Sequence, residues 1–141
     1  ILDSAPEERF DRITRLASQM FKVPIALISL VDTDRQWFKS RTGLEAQQTS
    51  RDASFCGHAI LDSRALIVPD ALGDDRFADN PLVRSDPRVR FYAGQPIAAP
   101  DGSLIGTLCL IDHQPRHFAQ ADIEALCALA AMVERELDAG G

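Results

Sequence analysis

The sequence predicts an α+β fold, an antiparallel sheet with a helix from each end of the chain packed on one face and loops over the other. Three features carry this reading. Apolar residues recur at helical spacing near both ends of the chain. Between them lie short apolar runs, joined in pairs by tight polar turns, which implies antiparallel pairing. One long polar connection, residues 70–87, separates the pairs and has the length to arch over the second face.

The first helix is expected over residues 4–22. Ser4-Ala5-Pro6-Glu7 has the form of a capping box, in which the serine accepts from an orphan amide and the glutamate reaches back. Phe10, Ile13, Leu16, Ala17 and Met20 then mark one apolar stripe. Pro24 sets its latest end. Residues 24–31, PIALISLV, are an apolar run of strand length. Asp32-Thr33-Asp34 turns the chain, and residues 35–40, RQWFKS, return as the second strand of a hairpin. Residues 41–53 read as polar and irregular, and residues 54–61 as a short helix with Ser54 near its N-cap. Residues 65–68 make a brief strand stopped by Pro69.

The connection that follows sets Asp70, Asp74, Asp75, Asp79 and Asp86 against Arg76 and Arg84. That suits a solvated loop pinned by Asp–Arg pairs, with a helical turn or two at 74–79. Residues 89–98 form a strand, bulged at Gly94, and Pro100-Asp101-Gly102 supplies a tight turn. Residues 104–111, LIGTLCLI, are apolar throughout and therefore central. The final helix is expected over about 119–137. There Ile123, Leu126, Ala130, Val133 and Leu137 step alternately by three and four, the pattern of a heptad seam and equally of an amphipathic face.

At 141 residues the chain is the size of one domain and can bury a core without disulfide or metal staples. It opens on Ile1 rather than Met and is expected to be a single domain, 1–141, of a longer protein. A net charge of −6 with no basic cluster argues against nucleic acid and against direct contact with an anionic membrane. No apolar run approaches the roughly 20 residues of a membrane helix, and no signal-peptide pattern opens the chain. Cys56, Cys109 and Cys127 are an odd, sparse set without metal spacing, as expected of reduced thiols in a cytoplasmic protein. No metal site is expected. His113 and His117 have no cysteine or histidine cluster to complete a zinc set, and residues 74–79 lack the alternation and glycine of a calcium loop. Walker-type and nucleophile-elbow motifs are absent.

Several short motifs, in order, resemble one family. They are Arg35-Gln36-Trp37-Phe38 after the PIALISLV strand, Asp52-Ala53-Ser54-Phe55-Cys56-Gly57-His58-Ala59-Ile60, Val68-Pro69-Asp70-Ala71 and Asp75-Arg76-Phe77. Arg90-Phe91-Tyr92-Ala93-Gly94-Gln95-Pro96-Ile97 and Asp101-Gly102-Ser103-Leu104-Ile105-Gly106-Thr107-Leu108-Cys109 follow. Each is weak alone, but together they resemble the GAF domain over Ser4 to Leu137. The resemblance implies a PAS-related antiparallel sheet of five or six strands. Its terminal helices pack on one face, and a ligand pocket lies on the other, roofed by loops and a short helix. It also implies a position upstream of a histidine kinase, diguanylate cyclase or phosphodiesterase output domain. Bilin-binding relatives carry a Cys-His dipeptide where this chain has residues 85–90, SDPRVR, so no covalent bilin is expected. The Asn-Lys-Phe-Asp-Glu signature of cyclic-nucleotide binders is absent too, and the cofactor stays unknown.

The candidate ligand pocket comprises Phe55, Cys56, His58, Asp70, Phe77, Arg90, Phe91 and Tyr92. Cys56 near a helix N-terminus suits a reactive thiol, with His58 as base or ligand, or else a small buried hydrophobe and a hydrogen-bonded imidazole. Residues two apart do not face each other on a helix, which weakens the pair as a unit. Cys109 on its strand and Cys127 on its helix read as structural. Phe91 and Tyr92 alternate, so at most one of them faces the pocket unless a bulge intervenes. No catalytic residue is assigned. The leading expectation is a non-enzymatic sensor of an unidentified small molecule. It would homodimerise and relay its signal through terminal helices, with Ile123, Leu126, Ala130, Val133 and Leu137 as the seam. A thiol redox sensor or a free methionine sulfoxide reductase-like enzyme using Cys56 is the alternative from another class. A dimerisation spacer without ligand is the third.

Overall fold

The computed structural model describes residues 7–31, 35–43, 48–50, 64–84 and 88–139. The first helix, α1, is Glu8–Phe21. It starts later than the capping box suggested. Glu7 takes the N-cap position in an extended conformation with no side-chain cap bond. Its carboxylate instead pairs with Lys39 and Arg9, so a tertiary contact has taken the group that local capping would have used. Ser4 lies outside the described residues. Glu8 and Asp11 sit in the first turn, where the helix dipole favours them. At the other end Lys22 turns left-handed at φ 55°, and Val23 N–H closes the helix by donating to Ser18 O.

Strands β1 (Ile25–Val31) and β2 (Arg35–Thr42) form the expected hairpin. A short third strand, β3 (Gln48–Ser50), pairs with β2 in a stretch expected to be irregular. Three polar residues at a sheet edge carry no alternation from which a strand could be read. After β4 (Leu66–Val68), the connection folds into a 3-10 turn at Ala71–Gly73, a turn at 75–79 and a single helical turn, α2 (Pro81–Arg84). The helix expected at 54–61 lies outside the described residues. Strands β5 (Phe91–Ala98) and β6 (Leu104–Asp112) make the second hairpin. Gly94 keeps regular register opposite Cys109, and the irregularity comes later, between Ile97 and Ala98. The last helix, α3, is Gln120–Ala139.

The six strands form one antiparallel sheet in the order β3-β2-β1-β6-β5-β4. β1 and β6 are central and buried on both faces, which is why their sequences are apolar without alternation. On one face α1 lies over β1 and β2, and α3 over β5 and β6. Phe10, Ile13 and Ala17 of α1 meet Leu126, Leu129, Ala130 and Val133 of α3 there, above Ala26, Ile28, Phe91, Ala93, Leu108 and Leu110. The helices run antiparallel, for Arg9 at the start of α1 donates to Glu136 O at the end of α3. On the opposite, distal face, Ala71, Phe77, Val83 and Val89 close over Ile25, Leu27, Phe38, Val68, Tyr92, Cys109 and Ile111. The 70–84 connection is thus a roof with its own apolar anchors. Each large side chain so buried contributes about 1.5–3 kcal/mol. Among the described residues no helix is long and apolar enough to cross a membrane.

Candidate functional site

The expected ligand face is the distal one, and its roof is held by short polar bonds at the rim and by apolar side chains within. Asp70 starts it. Its carboxylate accepts from Leu72 N–H at 3.2 Å and caps the 3-10 turn. Asp74 accepts from the backbone N–H, Nε and Nη2 of Arg76, at 3.0, 3.0 and 2.7 Å. Those side-chain bonds hold the Asp74 carboxyl below its ordinary value. The Arg76 guanidinium also lies 5.2 Å above the ring of Phe77. Arg84 closes on Asp79 and Ala78 O, completing the expected Asp–Arg pinning.

Inside this rim Phe77 is wholly buried, and Tyr92 is buried below it in the same cluster. Tyr92 lies along its own strand over Gly94: a methyl group there would come within 2.7 Å of two ring carbons. The missing side chain makes room for the tyrosine ring on the sheet. Arg90 is half-buried and spends its Nη1 on the carbonyls of Val83 (2.9 Å) and Val89 (3.1 Å), tying the far end of the roof to β5. The interior of this face is filled by its own apolar side chains, with the polar groups confined to its edge.

Of the eight pocket candidates, Asp70, Phe77, Arg90 and Tyr92 are brought to this face or its rim. Phe91 is not. Strand alternation sends it into the helix-side core, 5.5 Å from the ring of Phe118. Phe55, Cys56 and His58 lie outside the described residues, as does the side chain of Trp37. Among the described residues no three His, Cys, Asp or Glu side chains gather as a metal site.

The seam on α3 also differs from its expected role. Leu126, Ala130 and Val133 are buried in the helix-side core, with Ile123 and Leu137 packed against it. The stripe that reads as a heptad is the one that faces this domain's own sheet, because both share the three–four spacing. Cys127, expected to be structural, is exposed. It borders a groove of about 460 Å³ between the first half of α3 and the β4–β5 edge, together with Ile123, Glu124 and Gln95. Sequence reasoning gave no role to Arg116. Its Nε donates to Asp112 (3.0 Å), and its Nη1 and Nη2 donate to Phe21 O and Lys22 O (2.8 and 2.9 Å). A lone arginine in a polar loop offers no periodic signal, and its acceptors are mostly backbone carbonyls.

Comparison with known proteins fits this geometry. The GAF domain family model matches residues 5–137. A cyclic di-GMP phosphodiesterase of Pseudomonas aeruginosa is 45% identical over 134 residues, covering 94% of this chain but only 23% of that protein. The chain therefore spans about a quarter of that relative's length. Among solved structures, the free methionine-R-sulfoxide reductase of Neisseria meningitidis in complex with its substrate superposes with a TM-score of 0.74 at 21% identity, over 92% of this chain and 75% of that one. The GAF domain of an Acinetobacter phosphoenolpyruvate-protein phosphotransferase gives 0.66 at 19%, over 92% and 82%. At such identities these likenesses concern the fold alone. With the family model matching nearly end to end, the chain belongs to the GAF domain family.

Proposed function

We propose that this chain is a sensory module that binds a small molecule on the distal face of its sheet and regulates an output domain instead of catalysing a reaction. The observation that carries this reading is the asymmetry of the two faces. One is sealed by two long helices. The other is roofed by a 3-10 turn, a turn and a single helical turn, whose rim bonds are local and exposed. Segments held by local, exposed polar bonds open more readily than long packed helices, and ligand-binding elements are drawn from such segments. A bound ligand would reorder the roof around Asp70, Phe77, Arg90 and Tyr92, and α1 and α3 would pass the change on. A cyclic-di-GMP enzyme or a histidine kinase is the output we favour, in a cytoplasmic setting. We also propose a homodimer along the outer faces of α1 and α3, where Leu16, Met20 and Met132 stay exposed.

The test is a thermal-shift screen of the purified protein against cyclic nucleotides, amino acids, methionine sulfoxide, haem and bilins. A ligand at 100 times its dissociation constant adds about 2.7 kcal/mol, worth roughly 9 °C for a domain of this size. A shift abolished by Phe77→Leu or Arg90→Gln supports the distal site. A response to methionine sulfoxide that Cys56→Ser removes, with turnover, would replace the sensor by a thiol enzyme. A flat response across the panel, together with a stable dimer, would favour a ligand-free spacer.

A further inference from the structure

The polar bonds around Arg116 close into a ring that joins the two faces of the sheet. Its Nε donates to the Asp112 carboxylate at 3.0 Å. The carbonyl of Asp112 accepts from Arg90 N–H at 3.0 Å, and the carbonyl of Arg90 accepts from Ala71 N–H at 2.6 Å. Ala71 and Asp70 lead back along the chain to Pro69, whose carbonyl accepts from Arg116 N–H at 3.2 Å. On the distal side this ring holds Ala71, the first residue of the 3-10 turn. The guanidinium of Arg90 also reaches Val83 O, so the other end of the roof hangs from a member of the same ring. On the helical side the two Nη groups of Arg116 hold Phe21 O and Lys22 O, the last carbonyls of α1. A cation at a helix C-terminus is well placed against the dipole, and here it also satisfies two orphan acceptors. The guanidinium lies 6.0 Å over Phe91, which belongs to the helix-side core.

We propose that Arg116 is the positioning residue that couples the roof of the distal face to α1. The inference rests on the sensory reading, for it names the tie by which a roof movement reaches a terminal helix. One planar group with five donors in a fixed fork can hold a carboxylate and two carbonyls together, whereas a lysine ammonium presents a single point of charge. If the roof lifts, Pro69 and Ala71 pull on Arg116 N–H and on Arg90, the Asp112–Arg116 pair shifts, and the C-terminal turn of α1 loses its anchor. The coupling is mechanical and reciprocal: loosening α1 at Phe21 loosens the roof.

The experiment is amide hydrogen exchange on the purified protein, with no ligand required, so its failure and a failure to find a ligand are separate results. Arg116→Met is expected to raise exchange roughly tenfold at Val23 and at Ala71 together, while Leu108 to Leu110 in the central strand keep their protection. Arg9→Met, which cuts the tie between α1 and α3 at the other end, serves as the control. It is expected to raise exchange near Glu136 and leave Ala71 unchanged. Should Arg116→Met loosen the central strand as well, Asp112→Asn is the milder variant, expected to give a smaller joint rise at Val23 and Ala71. A rise confined to Val23 in the usable variant would make Arg116 a helix cap and nothing more, and overturn the proposal. So would no rise at either site, or an equal rise at Ala71 in Arg9→Met.

Discussion

The ammonium of Lys39 sits 2.8 Å from the Glu7 carboxylate, and the lysine side chain is wholly buried beneath α1. The cause is a bulge in β2. Ile28 pairs with Ser40 but Ser29 pairs with Phe38, so Lys39 is an extra residue and turns toward the helix along with Ser40. Ser40 there contacts Thr14 (2.9 Å) and donates to Asp11 (2.6 Å), and Lys39 lies 5.5 Å over the ring of Phe10. The first half of α1 is therefore attached to the sheet by a polar seam as well as by packing.

A pH dependence follows. Hydrogen bonds from Lys39, and secondarily from Arg9, hold the Glu7 carboxyl below its ordinary value. A depressed carboxylate contributes stability that is present above its unfolded value and is lost as pH falls through the folded one. Wild-type protein should therefore exceed Glu7→Gln in urea midpoint at neutral pH. The two curves should converge as pH drops below about 4, where an unfolded glutamate also protonates. Curves that stay parallel throughout would show that the pair contributes nothing. Lys39→Met, which keeps the volume and removes the buried charge, is expected to be milder than Glu7→Gln.

Gly94→Ala is expected to destabilise by about 1–3 kcal/mol, the usual cost of forcing an extra carbon into a filled site. The new methyl would press on the Tyr92 ring, which is 1% exposed and has little room to move. Urea unfolding measures the loss. In a Tyr92→Leu background the same change should cost far less, because the obstructing ring is gone and the two positions are coupled. Additive costs would place the strain elsewhere.

Much of this fold was legible because burial imposes repetition. The continuous apolar runs of β1 and β6, the stripe of α3, and Phe10, Ile13 and Ala17 of α1 follow from a sheet covered on both faces, whereas Leu16 and Met20, expected on the same α1 stripe, lie exposed. The alternation that parts Phe91 from Tyr92 was legible for the same reason. What escaped depends on partners remote in sequence. Glu7 left its capping role for Lys39, and β3 is a strand only because β2 lies beside it. The three–four spacing on α3 could not say whether its seam met a second chain or its own sheet. Asp70 and Arg90 were read as ligand contacts from residue type, yet both engage backbone groups, which leave no trace in a sequence.

The roof's anchor can be tested directly. Phe77→Ala empties the centre of the distal cluster and is expected to cost about 3 kcal/mol or more, because the lost ring leaves a cavity below the roof. Leu72→Ala lies on the same roof but is 49% exposed, and should change stability by less than about 0.5 kcal/mol. Denaturant midpoints separate the two. Equal small effects would mean that the roof is not part of the cooperative core.

The outer surface of the helical layer yields the last prediction. Leu16 and Met20 are one turn apart on α1 and are 43% and 49% exposed, while Met132 on α3 is 36% exposed. A two-fold pair of such surfaces would bury each patch against its own copy, the self-complementary arrangement of most small homodimers. Sedimentation equilibrium should therefore find wild-type protein in a concentration-dependent dimer. Met20→Glu should shift it to monomer, since a carboxylate at the centre of the contact would meet its own twin. Met20 lies outside both cores, so the variant should keep its fold by circular dichroism. A wild-type protein that stays monomeric at high concentration, or a Met20→Glu variant that still pairs, would remove this face as the interface and leave its methionines as ordinary exposed apolar residues.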